Sequence, residues 1–251
     1  NANSESLDEI TRREVEEELK QLKKLENVPI EEYAAYSRLI SEASVKWREA
    51  KQTNDYPLFK PYLEKIIAAQ KSLMAHMYPG KDTYDALLEE FSEGLSVEML
   101  DPFFANVKAK LVPVIHAVCQ SGNQADDSLL HRPFPIEGQR RLSSFVMDFL
   151  GIDRDSCVIG EVEHPFTTEF NKHDVRLTTH YHEDDVLSNM FSVAHEGGHC
   201  LYELNIGDEL IGSPLSGGAT MTLHESQSRL FENMICRNRE FIALLYPKMK
   251  E

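Results

Sequence analysis

The sequence predicts a mainly α-helical protein with one small antiparallel β-element of two or three strands. Three observations predict it. Apolar residues recur at helical spacing through most of the first half and again after Val186. Between them, Val158–Glu163, Thr167–Asn171 and Val175–His182 are rich in Val, Ile, Thr, Phe and Tyr, with Asn171–Asp174 as a turn. Proline and glycine clusters separate the segments at Pro29, Pro79-Gly80, Gly122–Pro135 and Gly207–Gly218.

Taken in order, Ser6 and Glu9 form an S-x-x-E capping box ahead of Val15, Leu19 and Leu22, which follow the i, i+4, i+7 pattern of an amphipathic helix. A second helix is expected over Ile30–Gln52, and a third from Pro57 to just before Pro79. Shorter helices are expected at Asp82–Glu93, Ser96–Gln120 and Ile136–Leu150. After the β-element, helical patterning runs from Val186 to Leu204, and a single long helix is expected over Ala219–Leu245. The polar, proline-containing loop at residues 122–135 is the best candidate boundary between an N-terminal helical region, 1–121, and a second region, 136–251.

Composition bounds the function. Hydrophobic residues make up 41% and charged residues 27%, ordinary for a globular protein. A formal net charge of −16 argues against nucleic acid as a partner, since a phosphate backbone demands a basic surface. No apolar run reaches the roughly 18 residues a membrane span requires, so no membrane role is expected. The four cysteines, Cys119, Cys157, Cys200 and Cys236, form no C-x-x-C pair, which fits free thiols in a reducing cytoplasm. The opening Asn1-Ala2, without Met, reads as an expression scar.

The chemistry concentrates in Ser192–Leu204, SVAHEGGHCLYEL, which contains H-E-x-x-H. On a helix His195 and His199 lie one turn apart on one face, so both imidazoles can reach one ion. Glu196 sits about 100° round from His195 and about 60° from His199, close enough to serve water at that ion without ligating it. A catalytic zinc wants three protein ligands and an open position. Glu225, on the next expected helix, is a candidate for the third; His224 competes, and Glu203 and Glu232 are alternatives.

Four ordered signatures make the sequence resemble the carboxypeptidase Taq family of zinc metallocarboxypeptidases: HPF (His164-Pro165-Phe166), DVRLT (Asp174 to Thr178), HEGGH (His195 to His199) and HESQSR (His224 to Arg229). The resemblance implies His195, His199 and Glu225 as metal ligands and Glu196 as general base, with His164 and Arg176 as substrate-binding candidates. For Arg176 the alternative is a salt bridge organising the sheet, and for His164 a hydrogen-bonded structural histidine. It also implies a largely helical H-E-x-x-H metallopeptidase fold with its small sheet next to the active-site helix. One zinc ion, with cobalt or manganese as substitutes, peptide substrates trimmed at the C-terminus with broad side-chain tolerance, and a homodimer at full length complete the expectation. Where the family has an Arg after its Thr-Thr pair, this chain has His180. The resemblance further implies that family chains extend beyond this one and that the Arg holding the substrate carboxylate lies outside it. An internal fragment with one wall of a substrate groove, and little activity alone, is therefore expected. A metallo-endopeptidase and a catalytically silent helical scaffold are the rival readings.

Overall fold

Asp8 opens the first helix: its carboxylate accepts a hydrogen bond from the Thr11 amide at 3.0 Å, satisfying one of the free donors at the helix start. The computed structural model describes residues 7–123 and 125–250. Ser6 of the expected capping box, and Asn1-Ala2, lie outside the described residues. Helix α1 covers Glu9–Leu25, α2 Ile30–Thr53, α3 Tyr56–Met77, α4 Thr83–Phe91 and α5 Val97–Gln120. Asn54, at φ 53°, takes the left-handed conformation that ends α2, and the Asp55 and Asp82 carboxylates cap α3 and α4.

The chain divides into two compact units, Asn1–Phe104 and Ala105–Glu251, so the division falls inside α5 and not at the 122–135 loop. That loop holds a short 3₁₀ turn, Ser128–His131. The first unit has a small core of Leu73, Met74 and Ala86, flanked by Val28, Tyr36, Met77, Tyr78 and Leu87.

The second unit is built around α7. Helix α6 covers Ile136–Phe149, strands β1, β2 and β3 cover Cys157–Glu161, Thr167–Asn171 and Asp174–Thr179, and α7 covers Val186–Leu204. Its core joins Leu142, Val146 and Met147 of α6 with Val175 and Leu177 of β3, and with Met190, Val193, Ala194 and Cys200 of α7. Asn189 locks the same elements with polar contacts. Its Oδ1 accepts from Ser143 Oγ at 3.1 Å and Thr179 Oγ1 at 2.9 Å, so the buried amide is paired to both α6 and β3. None of the four cysteines forms a disulfide among the described residues, and the buried Cys157 and Cys200 sulfurs lie 3.1 Å apart. No helix among the described residues is long and apolar enough to cross a membrane.

Two details correct the sequence reading. The sheet has the order β1-β3-β2 and is mixed: β2 and β3 form the expected antiparallel hairpin, but β1 pairs β3 in parallel, Cys157 opposite Val175 and Glu161 opposite Thr179. The reason lies in the 162–166 connection, which carries the chain from one edge of β3 to the other. Val162 N donates to Thr179 O at 3.0 Å, and Phe166 N to Thr178 Oγ1 at 2.8 Å, while Pro165 has no amide hydrogen to offer. The long final helix is also broken. Helix α8 covers Met221–Arg229 and runs into a π-helical turn, Leu230–Ile235; α9 then begins anew at Arg239 and ends at Met249. Asn238 causes the second start, its side chain accepting from the Phe241 amide at 2.7 Å.

Candidate metal centre

Helix α7 is wedged between α6, the sheet and α8, and its middle turn carries the H-E-x-x-H residues. The approach of α8 depends on one position. A Cβ placed on Gly198 would fall 2.6 Å from Ser228 Cα and 3.0 Å from Gln227 O, so only glycine lets the two backbones meet here. That contact brings Glu225 over the histidine pair. His195 Nε2 lies 3.5 Å and His199 Nε2 3.3 Å from Glu225 Oε2. The three residues offer ligand atoms all within 4.8 Å of one another, a spacing that fits one divalent ion.

Of the alternatives for the third ligand, none points its carboxylate or ring into this cluster; each stands behind it. Glu232 Oε2 is 3.0 Å from His195 Nδ1, the ring nitrogen on the far side from Glu225. The π turn carries Glu232 there, and two arginines hold it: Arg229 Nη1 donates to Oε2 at 3.1 Å and Arg237 Nη2 to Oε1 at 2.8 Å. His224 Nδ1 is 2.6 Å from His199 Nδ1, and His224 Nε2 is 2.5 Å from Glu203 Oε1. Arg229 Nε also donates to Glu225 Oε1 at 2.8 Å.

The electrostatics suit cation binding. Burial, with the charges of His224 and His195, lowers the His199 pKa to about 4, which leaves the ring neutral and its lone pair available at neutral pH. Burial pushes the Glu225 carboxyl up, but the Arg229 hydrogen bond and the charges of His195, Arg229 and His199 outweigh it and hold the group ionised. Glu232 is kept ionised in the same way, by Arg237, His195 and Arg229 against burial.

Glu196 faces the sheet side of the cluster. Its carboxylate accepts from Thr167 Oγ1 at 2.7 Å, which ties it to β2. It is 6% exposed, and burial raises its pKa above the usual carboxylate range, against the Thr167 hydrogen bond and the charges of His195 and His164. His164 is exposed and stands within electrostatic reach of Glu196. Arg176 lies elsewhere: it is exposed on the opposite face of β3 from the buried Leu177, paired to Asp174 at 2.8 Å and stacked on the Phe170 ring at 4.6 Å. His180 Nδ1 meets Val162 O at 2.8 Å beside the β1–β2 connection.

The family model of the carboxypeptidase Taq (M32) metallopeptidases matches residues 1–251. This chain belongs to that family. It is 40% identical over 247 residues to Carboxypeptidase 1 of Bacillus subtilis (strain 168), covering 98% of this chain and 49% of that one. It is 35% identical over 217 residues to Thermostable carboxypeptidase 1 of Pyrococcus furiosus, covering 86% and 44% respectively. The crystal structure of BsuCP, 40% identical, superposes with a TM-score of 0.95 over 98% of this chain and 50% of that chain. The chain thus spans about half the length of the curated relatives it matches.

Three features of the centre escaped the sequence reading: the close approach at Gly198, the π turn that aims Glu232, and the roles of His224 and Glu203 behind His199. The signal for the first was present in the paired glycines of HEGGH, because glycine inside a buried helix marks a close neighbour.

Proposed function

We propose that this chain carries the metal centre and general base of a metallocarboxypeptidase, with His195, His199 and Glu225 as ligands to one divalent ion and Glu196 as the base. The observation that supports it is the convergence of three ligand atoms within 4.8 Å from two separate helices. Two imidazoles and one carboxylate suit zinc in an open site, and cobalt or manganese also accept such donors. A bound ion would polarise the scissile carbonyl and ease deprotonation of water. The chain's own residues do the remainder. Glu196 accepts a proton from the attacking water and returns it to the departing amine, and its raised proton affinity suits both halves of that task. Thr167 fixes which way the carboxylate points.

The substrate in this reading is a peptide with a free C-terminus and broad tolerance at its last residue, in keeping with family membership. His164, exposed near Glu196, is the substrate contact we favour; the Asp174 pair and the Phe170 stack favour a sheet-organising role for Arg176. Because the relatives are about twice as long, the reading includes slow turnover by this chain alone.

Elemental analysis of the purified protein tests the centre: one divalent ion per chain is expected, and Glu225→Gln should lose most of it. Glu196→Gln should keep the ion while peptide hydrolysis, in a full-length enzyme with this site, falls by roughly 10²–10⁴-fold. Unblocked peptide should be cleaved and its C-terminally amidated twin spared. Equal cleavage of both would make the enzyme an endopeptidase, and protein without any bound ion would leave a helical scaffold.

A further inference from the structure

We infer that His224 and Glu203 are positioning residues that set the tautomer of His199, so that its Nε2 lone pair faces the ion. The inference rests on the metal-centre reading above and adds to it the device that makes one of the ligands competent.

Two imidazoles and one carboxylate stand in line, His199, His224 and Glu203, with one proton for each contact between them. His199 Nδ1 and His224 Nδ1 are 2.6 Å apart, so one of them donates and the other accepts. His199 Nε2 faces Glu225 Oε2 at 3.3 Å, on the side where the ligand atoms converge. A nitrogen that binds a cation carries no proton, so the neutral His199 ring must hold its proton on Nδ1 and donate it to His224 Nδ1. The proton of His224 then sits on Nε2, which is 2.5 Å from Glu203 Oε1. A carboxylate only accepts, and Glu203 is 4% exposed, so water cannot easily replace His224 as its donor.

Glu203 therefore gives the chain its direction. In the opposite arrangement His224 would donate from Nδ1, and its bare Nε2 lone pair would face the Glu203 oxygen. The His199 proton would move to Nε2, where it would occupy the ligand position. The buried carboxylate disfavours that state on both counts.

The surroundings hold the middle ring in place. The Tyr202 ring stacks on His224, centroids 4.6 Å apart and planes 23° from parallel. Gly218 leaves room on another side, where a Cβ would come within 2.5 Å of His224 Cδ2. His195 needs no such relay because Glu232 meets its Nδ1 directly. Glu203 lies one turn beyond His199 on α7 and His224 lies on α8, so the relay also closes the two ligand helices on each other.

The test measures zinc affinity at fixed pH by competition with a chromophoric chelator, for the parent, His224→Phe, Glu203→Ala and Glu203→Gln. Loss of a partner behind a metal-binding histidine usually weakens the metal about 10–100-fold. His224→Phe keeps a ring against Tyr202 and should show that loss, as should Glu203→Ala. Glu203→Gln should recover part of the affinity, because its amide oxygen still accepts from Nε2. In the zinc-loaded parent, long-range proton–nitrogen NMR should find His224 protonated at Nε2, a readout independent of how well any variant folds. His224 protonated at Nδ1 in that spectrum, or parent-like affinity in His224→Phe, would overturn the relay while leaving the metal centre standing. A parent that binds no zinc would overturn the metal-centre reading, and the relay with it.

Discussion

Helices α1 and α7 have similar lengths, 17 and 19 residues, and both carry apolar residues at helical spacing, yet they sit in opposite surroundings. Helix α1 buries none of its residues, and Leu19 on its apolar stripe is 50% exposed. Helix α7 buries residues right round its circumference, including Asn189, Glu196 and Glu203 alongside Met190, Val193 and Ala194. Periodicity specifies that a helix has a face; it does not specify what covers it. Where three elements close around one helix, its polar residues are buried with its apolar ones and must find partners. In α7 those partners are Ser143 and Thr179 for Asn189, Thr167 for Glu196 and His224 for Glu203. The candidate metal centre is thus a consequence of enclosure, and the contrast with α1 can be tested by substitution.

The largest effect is expected at the wall against which α7 packs. Leu177 on β3 is fully buried beside Val193 and Ala194 of the same core. Leu177→Ala removes that packing and leaves a cavity, so a loss of about 2–5 kcal/mol is expected in urea unfolding. A loss below 1 kcal/mol would mean that the sheet does not enclose α7 as described.

An intermediate effect is expected at Gly198, and here the sign is informative. In an ordinary helix, replacing glycine by alanine gains about 1 kcal/mol from helix propensity. At Gly198 the added Cβ would press on the Ser228 backbone, which cannot swing aside as a side chain would. Gly198→Ala should therefore destabilise by about 1–3 kcal/mol, and displacement of α8 should weaken zinc binding through Glu225. Chelator competition and urea unfolding measure the two losses. A stabilised variant would show that α7 and α8 have room to spare.

What was legible in the sequence divides along the same line. Helices with clear periodicity, such as α2 and α6, and the β2–β3 hairpin with its Asn171–Asp174 turn, carry their signals locally. So does the spacing of His195 and His199. The parallel placement of β1 was not legible, because it depends on where the 162–166 connection crosses β3. The break at Asn238 was hidden because the apolar spacing continues through it, while a cap acts through a single side chain. His224, Glu203 and Glu232 were visible as ligand-type residues close to the motif. Only the packing of α8 and its π turn against α7 shows them behind the histidines, with Glu225 in front. Patterns within one element can be read from sequence, whereas partners between elements need the packing.

The smallest effect is expected on α1, and it sharpens the comparison most. Leu19→Ala removes a side chain that is half exposed in the folded protein, and alanine is at least as good a helix former as leucine. About half of the side chain is already wet in the folded protein, so the change in unfolding free energy should stay below about 1 kcal/mol. The same substitution at a buried leucine would cost several times that. Urea unfolding of the 251-residue chain decides it. A loss near 2 kcal/mol would show that the stripe of Val15, Leu19 and Leu22 is covered in solution, by another copy of the chain or another surface. Repeating the measurement across a range of protein concentrations separates those two outcomes, because only cover by a second copy depends on concentration. A null result at every concentration would establish that α1 and α7 owe their different environments to what surrounds them and not to the strength of their apolar patterns.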